Sequence, residues 1–93
     1  MTQVRVALRA EGHIRAASAW WREHRPAAPQ LFALEVADAL DLLEVTPTIG
    51  VHYAHRRGRT ICRLLLPRSR YHLYFTYDEA ADVVEVRAVW QAM

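Results

Sequence analysis

Two rhythms of apolar residues divide the chain, one repeating every second residue and the other every third or fourth. "QVRVALR" opens with alternation, setting Val4, Val6 and Leu8 against Arg5 and Arg9, which predicts a half-buried first strand that Gly12 helps to end. From Glu11 to His24 the period changes. Ile14, Ala17 and Trp21 recur at i, i+3 and i+7 with small Ser18 at i+4, one stripe of an amphipathic helix. "RPAAP" breaks that helix, and Pro26 and Pro29 suit a short connection to a second helix over Gln30 to Val45. Phe32, Val36, Ala39, Leu40 and Leu43 form its core stripe. Leu31, Leu34, Leu42 and Val45 make a second apolar band on roughly the opposite side, among Asp38 and Asp41. One band then meets the sheet, and the other meets either the first helix or a partner.

"TPTIG" ends the second helix, and "VHYAHRRGR" reads as a loop. Three strands follow, near Thr60 to Leu66, Arg70 to Tyr77 and Asp82 to Trp90, with turns at Pro67-Arg68-Ser69 and Asp78-Glu79-Ala80-Ala81. The order β-α-α-β-β-β predicts an α+β fold, a helical hairpin on one face of a small, mostly antiparallel sheet, with residues 1–93 as a single domain. Alternation assigns faces. Cys62, Leu64, Leu66, Leu73, Phe75, Val84, Val86, Ala88 and Trp90 point inward; Arg63, Leu65, Arg70, His72, Tyr74, Glu85 and Arg87 point outward, flanked by Ile61, Val83 and Val89. If the helices cover one face only, the outward face is bare in the isolated chain. Its mixture of arginine, tyrosine and aliphatic side chains suits binding, and the alternative is an ordinary solvated face of an antiparallel sheet.

Charge sharpens this picture. The net charge is only +2, but all 12 basic residues are arginine, seven lie between Arg56 and Arg87, and six of the ten acids precede residue 50. Guanidinium groups suit carboxylate and phosphate recognition, so the basic half is also the half with the outward row. Arg56, Arg57 and Arg59 form a compact basic loop, suited to phosphate or acidic protein, or else simply solvated. No stretch approaches the about 20 apolar residues of a membrane span, and the N-terminus carries charges where a signal peptide needs an apolar core; a cytoplasmic protein without a membrane role is expected.

The chemistry-bearing motifs are few. Cys62 alone makes neither an internal disulfide nor a cysteine zinc site and reads as core. His52 and His55 have a chelating spacing but no third ligand, so neither metal nor cofactor is expected. There is no Gly-rich phosphate loop, nucleophile elbow or His-Glu-x-x-His. Cleavage of RNA through its 2′-OH needs a base, cations and an acid, roles that His72, Arg63, Arg87 and Tyr74 or Glu85 fill nominally.

Taken together, "AASAWWREHRPAAPQLF", "EVADALDLLEVTPTIG", "CRLLLPRSRYHLYFTYDE" and "DVVEVRAVW" resemble the RelE/ParE superfamily of bacterial type II toxin-antitoxin toxins in order, spacing and turn placement over nearly the whole chain. In its ribonuclease branch, basic residues on two strands and a basic or His/Tyr-containing tail act on ribosome-bound mRNA. Here Arg63 keeps a basic group, Leu65 stands where a second is usual, His72 takes the strand arginine position, and the tail offers Trp90, Gln91 and Ala92. The resemblance therefore favours the ParE-like branch, known for inhibiting DNA gyrase without a recognised active site. It implies a hetero-oligomer with a ParD-like antitoxin docking on Arg63, Leu65, His72, Tyr74, Glu85 and Arg87, and on Leu31, Leu34 and Leu42 of the second helix. The alternatives are a ribosome-dependent mRNA endonuclease using Arg63 and His72, and a non-toxic binding module on the same scaffold.

Overall fold

In the computed structural model, which describes residues 1–92, the elements run β1 (Gln3–Val6), α1 (Leu8–His24), α2 (Leu31–Val45), β2 (Val51–Arg56), β3 (Arg59–Leu66), β4 (Tyr71–Asp78) and β5 (Val83–Gln91). The sheet order is β1-β5-β4-β3-β2, with β1 parallel to β5 and every other pair antiparallel. Two helices on one face of a mostly antiparallel sheet match the α+β expectation.

The first strand and helix join more tightly than the pattern suggests. Ala7 N–H donates to the Val86 carbonyl at 2.9 Å, and the Ala7 carbonyl accepts from Glu11 N–H at 2.9 Å, so one residue closes the sheet ladder and opens the helix. Leu8 and Gly12 consequently lie within α1, and Gly12 ends no strand. The segment read as a loop is also corrected. Val51–Arg56 is an edge strand paired with β3, and its alternation is masked by a bulge between His52 and Ala54. Arg57 (φ 53°) and Gly58 (φ 75°) both take left-handed backbone, forming the two-residue primed turn whose twist suits a hairpin.

Between helices and sheet lies one core. Phe32 and Leu43 of α2 meet Leu73 and Phe75 of β4 and Val84 and Val86 of β5, all fully buried, with Ala17 and Trp21 of α1 closing the layer. The Glu35 carboxylate accepts the N–H groups of Arg68 (2.8 Å) and Ser69 (2.9 Å), tying the β3–β4 turn to α2. At the other end of the sheet, Asp82 accepts from the Thr2 hydroxyl (2.7 Å) and the Tyr77 hydroxyl (2.8 Å).

Four outward-or-inward assignments change. Arg70 lies in the β3–β4 turn with φ 66°, not on the strand. On β5 the register passes from Phe75↔Val86 to Tyr74↔Ala88, leaving Arg87 as an extra residue. Beyond this bulge the faces reverse: Val89 is buried and Trp90 is 45% exposed, so Trp90 is not core. Ala88 moves with Trp90 to the open side, where it is still buried. The second band of α2 is not packed under α1 either, since Leu34, Leu42 and Val45 are exposed and only Leu31 touches the core. Among the described residues, no helix is long and apolar enough to cross a membrane.

Candidate functional site

The open face of the sheet is built in rows by strand register. One row runs Leu65, His72, Trp90 across β3, β4 and β5; the next runs Arg63, Tyr74, Ala88. The face forms because each strand alternates, and the two helices occupy the other side.

Around the second row the side chains interlock. The Tyr53 and Tyr74 rings lie edge to face with centroids 5.0 Å apart, the Arg63 guanidinium sits 5.0 Å above the Tyr53 ring, and the His72 ring is 5.9 Å from that of Tyr74. These contacts hold Arg63 and Tyr74 in place without an ion pair. Burial pushes the His72 pKa down, and the neighbouring Arg63 and Arg70 charges push it the same way, so His72 is neutral at neutral pH. Glu85 is held by Arg87 at 2.8 Å.

The rim comes from α1. His13 Nδ1 accepts the Val89 N–H at 3.2 Å while its ring lies 4.1 Å from Trp90, and Arg9 sits 5.4 Å over the same indole. Burial, then Arg9, lowers the His13 pKa, which keeps Nδ1 free to accept. A cavity of about 580 Å³ lies between these groups, lined by Tyr53, Tyr74, Glu85, Arg87 and Trp90 among others. It adjoins a second, of about 450 Å³, bordered by Arg56, Arg57 and Arg59 of the β2–β3 hairpin.

Of the residues singled out from sequence, Arg63, Leu65, His72, Tyr74, Glu85 and Arg87 share this face, and the basic segment Arg56, Arg57 and Arg59 joins it. Leu31, Leu34 and Leu42 belong to the helix layer and line or flank a separate groove beside Glu35, Asp38 and Arg68. Sequence reasoning missed Tyr53, Trp90, Arg9 and His13. Tyr53 was hidden by the bulge in β2, Trp90 by the bulge in β5 and Arg9 by the early start of α1, whereas His13 lay inside the helix expected from Glu11 to His24 with no signal that it would meet Trp90. His52 and His55 fall in register with Cys62 and Thr60, on the helix-bearing side, and His55 Nδ1 lies 3.3 Å from the Thr60 hydroxyl. Among the described residues, no group of three or more His, Cys, Asp or Glu could hold a metal ion.

This layout has solved counterparts. The isolated E. coli RelE toxin aligns over 100% of this chain and 86% of its own, with TM-score 0.63 and 17% identity. The chain has the RelE toxin fold. The RelE fold also recurs in the intact E. coli RelBE toxin-antitoxin complex, where TM-score 0.63 and 18% identity extend over 100% of this chain and 99% of the matched one. The archaeal RelE-RelB complex from Pyrococcus horikoshii OT3 aligns with TM-score 0.58 and 15% identity, over 98% and 96% of the two chains. No family model and no curated protein matches the chain.

Proposed function

We propose that this chain is the toxin of a bacterial type II toxin-antitoxin pair, acting in the cytoplasm by binding its target through the open face and neutralised by a ParD-like antitoxin in a hetero-oligomer. The observation that carries the reading is the uncovered, arginine- and aromatic-lined sheet face on a RelE fold, a fold also solved in complexes of RelE with RelB. Arg63, Leu65, His72, Tyr74, Glu85 and Arg87 are the contacts on that face, and Leu31, Leu34 and Leu42 offer the antitoxin a second seat.

Binding is favoured over catalysis by what surrounds His72. Its partners across the sheet are Leu65 and Trp90, and Glu85, the carboxylate on this face, is paired with Arg87. A base is present, but of the two candidate acids Glu85 is taken up by Arg87, and Tyr74 stands on the same strand as His72 with its ring packed against Tyr53. DNA gyrase is the target that the ParE-like resemblance implies. A second reading, mRNA cleavage at the ribosome, is favoured by the neutral His72 beside Arg63, which suits abstraction of a 2′-OH proton next to a phosphate.

Induced expression with and without the neighbouring antitoxin gene, followed by supercoiling with purified gyrase and cleavage on translating ribosomes, separates these outcomes. Growth arrest reversed by the antitoxin, with supercoiling inhibited and mRNA intact, is expected. New 5′ ends within codons, lost in Arg63→Ala with His72→Ala, would replace gyrase by the ribosome. Normal growth on induction would reduce the chain to a non-toxic binding module.

A further inference from the structure

The Trp90 indole borders two cavities, the one on the open face and another of about 460 Å³ between α1 and the ends of β4 and β5. The other walls of the second are His13, Trp20 and Tyr71, and the small side chains of Ala16 and Ala17 leave the space between them open. The α1 members meet there because they recur every three or four residues on one side of the helix. Both indoles are braced. Trp20 stacks on His24 at 4.6 Å, meets Trp21 edge-on at 6.2 Å and lies 4.9 Å from the Arg25 guanidinium, while Trp90 is held by His13 at 4.1 Å and Arg9 at 5.4 Å. Yet Trp20 is 38% exposed and Trp90 45%. Two large rings, fixed in place and open toward one slot, offer a ligand apolar area that binding does not have to order.

The free polar groups of this slot are donors. His13 accepts the Val89 N–H through Nδ1, so its neutral ring carries the proton on Nε2. Among the described residues, no hydrogen bond occupies the indole N–H of Trp20 or Trp90 or the Tyr71 hydroxyl. Donors between aromatic rings call for a ligand rich in carbonyl oxygens. β1 stops opposite Val86, which leaves the end of β5 without a strand on that side, but an added strand would need the Val89 N–H that His13 holds. A polyproline II segment needs no such donor. Its backbone has no internal hydrogen bonds, its carbonyls are free to accept, and its rings pack in aromatic-lined grooves. Charge selects further. Arg9 lies over Trp90 and Arg25 over Trp20, neither stands in an ion pair among the described residues, and the last turn of α1 adds Arg22 and His24. We infer that the slot binds a proline-rich extended segment of a partner protein, flanked on both sides by aspartate or glutamate. This holds whatever target the open face takes.

The test is titration of the labelled full chain, followed by NMR, with a synthetic peptide in which a run of prolines lies between glutamates. Two control peptides carry lysine in place of the glutamates, or valine in place of the prolines. The chain has three tryptophans, so each indole N–H reports separately. Those of Trp20 and Trp90 are expected to shift, and that of Trp21, whose Nε1 is buried, to stay. The glutamate-flanked proline peptide is expected to bind about tenfold more tightly than either control. Trp20→Ala is expected to weaken it about tenfold, and Trp20→Phe, which keeps a ring but loses the N–H, about threefold. Arg9→Gln and Arg25→Gln should each cost about two- to fivefold, and Arg68→Gln, which removes the same charge beside α2, nothing. No shift at Trp20, or a loss in Tyr53→Ala with none in Trp20→Ala, would overturn the slot, the second result placing the peptide on the open face. Equal binding of the valine peptide would overturn the polyproline conformation, and equal binding of the lysine peptide the acidic flanks.

Discussion

His72 illustrates how a single residue takes its properties from its neighbours. It stands in a row with Leu65 and Trp90, and burial together with Arg63 and Arg70 lowers its pKa from the ordinary 6.5. Removal of one arginine is therefore expected to raise it: in Arg63→Ala, the imidazole titration followed by NMR should move back toward 6.5, and an unchanged midpoint would contradict the assigned cause. The lowered value also has a stability consequence. The folded chain binds the proton less readily than the unfolded one, so stability falls as pH drops from the ordinary histidine value through the lowered folded value. His13, shifted in the same direction by burial and Arg9, adds to that loss. Urea unfolding across this range should show a shallower acid loss in His72→Gln, which stays neutral. Cys62 behaves as sequence position suggested: it is half-buried in the layer facing the helices, and burial raises its thiol pKa, which disfavours the reactive thiolate.

Elements owe their positions to a few close approaches. Gly50, just before β2, lies against the core: a Cβ there would meet the Phe75 ring at 2.7 Å and the Arg63 carbonyl at 3.0 Å. Neither the fully buried ring nor the strand backbone yields readily, so Gly50→Ala should destabilise by about 1–3 kcal/mol in chemical denaturation. Gly12 is the contrast, lying within α1 with only the end of the Arg15 side chain 3.9 Å from such a Cβ. Gly12→Ala should stabilise by about 0.5–1 kcal/mol by raising helix propensity and reducing unfolded-chain freedom. If both substitutions shifted stability the same way, the close approach at Gly50 would not be what fixes the entry of β2. Elements are also where pattern reading succeeded and failed. Strands β3 and β4 and both helices followed their periodicities, because nothing interrupts the repeat within them. β2 and the end of β5 did not, because one extra residue in a strand reverses the alternation beyond it.

At the scale of the whole molecule, one core supports two surfaces. Phe75 is fully buried beneath the helices, whereas Leu34 is 63% exposed on α2. Phe75→Ala should cost about 3–5 kcal/mol, a large share of the about 5–15 kcal/mol that stabilises a small domain, and Leu34→Ala should stay within about 0.5 kcal/mol. Equal losses in thermal melts would mean that the α2 band is packed after all. The sequence alone determined the α+β class, the helical hairpin, the inward set of β3 and β4 and the concentration of arginine in the second half, because these depend on local period and composition. Tertiary structure decided which residues meet. Two bulges brought Tyr53 and Trp90 to the open face, an early helix start put Arg9 at its rim beside His13, and a primed hairpin turned an apparent basic loop into one wall of an arginine-lined cavity. Such encounters depend on register and twist between distant strands, which a residue's immediate sequence neighbours do not encode.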